Sequence, residues 1–205
     1  MNVRVNGDTV EIEGYVNSVE RLSKLLHDRI GDFMERVKVG AFSRALERAD
    51  DVRILLNHDY NRDLGGIKDG NLELYEDSIG LHARAIITDR EVAEDARRGN
   101  LRGWSFGFTD RDVEQSQENG VTVRNVKDLN LYEVSLINRS KVPAYDGTLV
   151  AVRAQDGNAL YVGEVVEAEI KLRDETPQKE EINADEKGAI DYTKYHEIIK
   201  EMKGE

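Results

Sequence analysis

The sequence predicts an α+β fold that is mainly β, a barrel or sandwich of strands with short helices around it and a charged, flexible carboxyl-terminal tail. Three observations carry that prediction. Short runs of alternating apolar residues recur between turn residues as far as about residue 150, and apolar spacing of three or four residues is confined to a few brief stretches. A chain of 205 residues with 39% hydrophobic content is long enough to bury one sizeable core. The expected domain covers 1–165, and 166–205 reads as a charged linker ending in a short amphipathic helix.

Val3 and Val5, then Val10 and Ile12, alternate around Asn6-Gly7-Asp8, which predicts a hairpin. Over 18–33 the period changes: Val19, Leu22, Leu25, Leu26 and Ile30 recur at helical spacing behind Ser18, so a helix capped by Ser18 is expected. Phe42, Ala45 and Leu46 predict another short helix. Val52 to Leu56, Leu72 to Tyr75 and Leu81 to Ile87 read as strands separated by Gly, Asp and Asn turns. Thr88-Asp89-Arg90-Glu91 fits a capping box with Thr88 as cap, and Gly99 stands where that helix would stop. The Ser105 strand follows, then strands near 121–126 and 129–137, with Leu149 to Val152 closing the sheet. After about residue 170 the charged stretch LRDETPQKEEINADEKG reads as a linker. Tyr195, Ile198, Ile199 and Met202 set the terminal helix.

Composition narrows the function. A formal charge of -12 argues against nucleic-acid binding, which needs clustered Lys and Arg to neutralise phosphate. The chain has no cysteine, so disulfides, thiol catalysis and cysteine-ligated zinc are excluded. There is no apolar run of membrane-spanning length, and the opening MNVRVNGDTV lacks the charged-then-apolar succession of a signal peptide. A soluble intracellular protein without membrane partners is expected. Asp59-x-Asn61-x-Asp63 begins like a calcium loop, but Leu64 holds the glycine position and Gly70 that of the bidentate Glu. His58, His82 and His196 lack zinc-ligand spacing, Gly65-Gly66 precedes a strand-like segment instead of a helix, and no cofactor or metal is expected.

The candidate chemistry lies in three segments. Gly103-Trp104-Ser105-Phe106-Gly107-Phe108 sets one hydroxyl between glycines, which let another backbone or a substrate approach closely. Asn57-His58-Asp59 follows an apolar run, placing His58 at a strand end; the competing reading is a surface histidine bonded to Asp59. Glu133 interrupts Leu129, Leu131, Val134, Leu136 and Ile137, and a carboxylate in a central strand needs a partner, for which histidine is suited. Serine, histidine and carboxylate are the parts of an activated-nucleophile site. Ser135 reads as an ordinary strand residue.

Taken together these segments resemble the prohead maturation proteases of tailed bacteriophages, serine peptidases related in fold to the herpesvirus capsid assemblins. The resemblance runs over roughly 10 to 150 and rests on the order and spacing of several pieces. These are Val39-Gly40-Ala41-Phe42 after Phe33-Met34-Glu35, Leu56-Asn57-His58-Asp59 with Leu64-Gly65, Gly80-Leu81, Ser105-Phe106-Gly107-Phe108, and Glu133-Val134-Ser135-Leu136 followed by Pro143-Ala144. Val39 departs from the proline common before Gly-Ala-Phe. The resemblance implies an assemblin-like β-barrel with His58 as general base, Ser105 as nucleophile and Glu133 orienting the imidazole. Arg139 and Gly107 are candidates for the oxyanion or substrate site. Implied partners are the major capsid protein with its scaffolding segment, the portal and a second copy of the chain, inside the prohead in the host cytoplasm, with a tail that either docks the enzyme in the prohead or is removed by self-cleavage. Two other readings stay open: an inactive β-rich virion or scaffold protein of the same fold, and another serine hydrolase such as an esterase, although the Gly-x-Ser-x-Gly elbow is missing.

Overall fold

The computed structural model describes residues 1–27, 31–139, 152–153, 159–162, 166–167 and 169–177. Fourteen strands and two helices lie among them, so the mainly β prediction holds. One sheet has the order β14(Lys171–Asp174), β1(Asn2–Asn6), β2(Thr9–Ser18), β8(Gly80–Thr88), β7(Leu72–Glu76). The other runs through β11(Val152–Arg153), β12(Ala159–Val162), β9(Leu101–Glu118), β10(Val121–Asn138), β4(Asp32–Val37) and β3(Leu26–His27), with β5(Arg53–Leu56) between β10 and β6(Asp59–Gly66), and β13(Val166–Glu167) on β9. Among the described residues no strand pairing joins the two sheets into the expected closed barrel.

Alternation explains the core. Val3, Val5, Val10, Ile12, Leu81, Ala83, Ala85 and Ile87 of the first sheet are buried against Trp104, Phe106, Phe108, Val134 and Leu136 of the second. Helix α1(Ala41–Arg48) adds Ala41, Phe42 and Ala45, and α2(Arg90–Arg97) adds Val92, Ala93 and Ala96. Strand β10 organises the second sheet. Its first half pairs in parallel with β4 (Thr122↔Phe33 to Val126↔Val37), its second half with β5 (Glu133↔Arg53 to Leu136↔Leu56), and α1 lies in sequence between those two partners.

Several sequence expectations change. No helix forms over 18–27; that segment runs extended beside β4, with Ser23 N donating to Glu35 O at 2.8 Å and Glu35 N to Ser23 Oγ at 2.9 Å. Of its evenly spaced apolar residues, Val19 and Leu26 are buried and Leu25 is exposed, so they do not share one helical stripe. The cap of α2 is Asp89, whose carboxylate accepts from Val92 N, while Thr88 still belongs to β8 and bonds Thr9 across the sheet. The two strands expected between 121 and 137 are one continuous β10 with irregular register near Asp128 and Tyr132. The polar stretch after His58 forms strand β6. Residues 171–174, read as linker, form β14 beside β1, and Arg97 binds Asp174 and Thr176. Leu149 to Ala151, the linker from 178 and the terminal helix lie outside the described residues.

Candidate active site

Strands β9 and β10 carry the site on the face turned away from Trp104, Phe106, Val134 and Leu136. Pleating puts alternate residues on opposite faces, so the side bearing Gly103, Ser105 and Gly107 on β9 is the side bearing Glu133, Ser135 and Ile137 on β10. Register sets them opposite one another: Glu133↔Gly107, Ser135↔Ser105 and Ile137↔Gly103. All of Ser105, Glu133 and Ser135 are buried, with at most 1% exposure.

His58 arrives from the neighbouring strand. The parallel β5–β10 pairing ends at Leu56↔Leu136, and a two-residue turn, Asn57-His58, leads into β6 through Leu56↔Asp59. Both turn residues are left-handed, at φ 57° and 58°. Asparagine tolerates that conformation better than most residues, and histidine adopts it at some cost, which the surroundings must offset. They do so through a clasp: Asn57 Nδ2 donates to Asn138 Oδ1 at 2.7 Å, Asn138 N to Asn57 Oδ1 at 3.0 Å, and Asn57 N to Leu136 O at 2.9 Å. Asn138 in turn donates to Asp95 of α2 at 2.6 Å.

The clasped turn lays the imidazole over Glu133. His58 Nδ1 lies 2.8 Å from Glu133 Oε1. A buried carboxylate accepts, so Nδ1 carries the proton and Nε2 is left as the basic nitrogen. Nε2 is buried and makes no hydrogen bond. The carboxylate fits because Gly107 has no side chain: a Cβ there would lie 2.3 Å from Glu133 Oε1 and 3.1 Å from its Cγ and Cδ. Asp59, the alternative partner for the histidine, instead accepts from Asn61 in its own strand.

The structure therefore joins His58 to Glu133 and sets Ser105 on the adjacent strand of the same face, though Ser105 Oγ does not close a bond to His58 Nε2. Residues directly opposite in an antiparallel ladder have Cβ atoms about 5 Å apart, which places Ser105 beside Ser135. Arg139 is exposed four residues beyond Ser135, with its amide on Asn100 O at 2.9 Å. Two residues were missed by sequence reasoning. Asn57 and Ser135 both hold the site, and the second offered no signal beyond its place in an alternating strand. Two half-exposed tyrosines lie beside the site: Tyr132 bonds Thr109 Oγ1 at 3.2 Å, and the phenol of Tyr60 is pushed up by its partial burial and by the charge of Glu133. No group of three or more metal-ligating side chains occurs among the described residues.

A carboxylate-bound imidazole with a basic nitrogen facing inward, beside a strand that carries a serine, is the arrangement that serves hydroxyl nucleophiles. The chain belongs to the caudovirus prohead serine protease family, whose sequence profile matches residues 1–161. It is thus a serine peptidase of phage capsid maturation, a class that assembles in the host cytoplasm, lies inside the prohead and interacts with capsid proteins. No curated protein and no solved structure matches the chain. Among the described residues no helix is long and apolar enough to cross a membrane.

Proposed function

We propose that the chain is an endopeptidase that cuts the scaffolding segment of the major capsid protein, and its own tail, by a Ser105-His58-Glu133 mechanism. The observation that carries this reading is the 2.8 Å bond from His58 Nδ1 to Glu133 Oε1 with Nε2 unpartnered. Nε2 takes the proton of Ser105 Oγ as that oxygen attacks the scissile carbonyl carbon, then returns it to the leaving amine; water repeats the sequence to release the acyl group. Glu133 fixes the tautomer and stabilises the imidazolium. Its burial makes that stabilisation stronger than a solvated carboxylate would give.

A fluorophosphonate tests the assignment on the full chain. The expected result is one adduct, mapped to Ser105 by peptide mass, which Ser105→Ala abolishes while lowering peptide cleavage by roughly four to six orders of magnitude. Absence of any adduct on the folded wild type would favour the inactive virion or scaffold relative.

A further inference from the structure

Ser135 faces Ser105 across the ladder and is equally buried, yet its bonds differ in kind from those of a nucleophile. Ser135 Oγ donates to Glu133 Oε2 at 2.5 Å and accepts from the backbone N–H of His58 at 3.0 Å. Its one proton is committed to the acid, and it meets the histidine at the main chain instead of the ring. The glutamate is held at both oxygens, Oε1 by His58 and Oε2 by Ser135. With Oε1 alone engaged, the terminal carboxylate torsion, which is intrinsically broad, would be free to swing. The second bond also ties down the left-handed His58 that would otherwise relax.

From this geometry we infer that Ser135 is a positioning residue, a single hydroxyl that locks the general base and its acid into one rigid unit. The inference rests on the Ser105-His58-Glu133 reading and extends it to a fourth side chain that touches no reacting atom. In Ser135→Ala, Glu133 Oε2 loses its donor and the His58 amide loses its acceptor, so the imidazole is less well aimed although Ser105 is intact.

Two measurements on the full chain test it. The first is the rate of fluorophosphonate reaction at Ser105, expected to fall about 100-fold in Ser135→Ala and to recover to within several-fold of wild type in Ser135→Thr, which keeps the hydroxyl. The second is the downfield proton resonance of His58 Nδ1–H in a Ser105→Ala background, expected to move or broaden when Ser135→Ala is added. A wild-type reaction rate in Ser135→Ala together with an unmoved His58 resonance overturns the inference, as does an adduct on Ser135 itself. If the wild type forms no adduct at all, the nucleophile assignment fails, and the resonance alone still decides whether Ser135 holds the His58–Glu133 pair.

Discussion

Gly107 shows how much of this site depends on one missing methyl group. An alanine Cβ would sit 2.3 Å from Glu133 Oε1, inside any real contact distance. The clash is with the end of a side chain and not with backbone, so the sheet survives and the carboxylate moves. Gly107→Ala is therefore expected to leave the melting temperature within a few degrees of wild type while slowing the phosphonate reaction at Ser105 by about 100-fold or more. An unchanged rate would show that the acid need not stand where Gly107 lets it. The glycines flanking Ser105 are visible in the sequence, and Gly107 is offered there for the oxyanion or substrate; the room it leaves for the Glu133 carboxylate shows only in the cross-strand register. Ser135 was missed for a related reason. A polar residue alternating with Val134 and Leu136 looks like any outward strand position, and only the register opposite Ser105 places it within the site.

The β5–β6 hairpin is the element that carries His58, the proposed base. Its turn needs two left-handed residues, and Asn57 supplies both the conformation and the clasp to Asn138. Asn57→Ala adds backbone strain and removes the two buried hydrogen bonds of the clasp to Asn138, a cost of about 2 to 4 kcal/mol. Asn57→Gly is expected to cost less, because it removes the strain while still losing the clasp. Thermal unfolding of the two variants decides: equal losses would show that turn strain contributes nothing. At this scale the sequence was legible where alternation and turn chemistry agreed, as in the amino-terminal hairpin, β7, β8 and the β9 strand. Helix α1 was also visible. Asn119-Gly120, a hairpin signal that went unused, joins β9 to β10 with both residues left-handed. The helix expected over 18–33 failed because its apolar residues serve different neighbours along an extended path, information that only tertiary pairing supplies.

Across the whole molecule, charge and chain termini set the conditions under which the fold holds. Glu35 is buried with its carboxylate on Arg124 at 3.0 Å, and Asp110 shares the same guanidinium. Burial pushes Glu35 up to about 7; Arg124 opposes the rise and Asp110 adds to it. A carboxyl raised in the folded state stabilises the fold fully below its unfolded value and loses that contribution as pH rises through about 7. Glu35→Gln is thus expected to lose less melting temperature than wild type between pH 5 and 7.5, and identical slopes would contradict this. At the carboxyl end, β14 and Thr176 are bound to β1, Gly7 and Arg97, and backbone held in such pairing resists cleavage, so cuts in the chain's own tail are expected beyond Pro177 and not within 171–176. The most direct test of the central claim is intact mass after co-expression of wild type or Ser105→Ala with the major capsid protein of the same virus. The expected result is a shortened capsid protein and a protease shortened beyond residue 177 with wild type, and both chains intact with Ser105→Ala. An uncut capsid protein with wild type, or equal cutting with both, would contradict it.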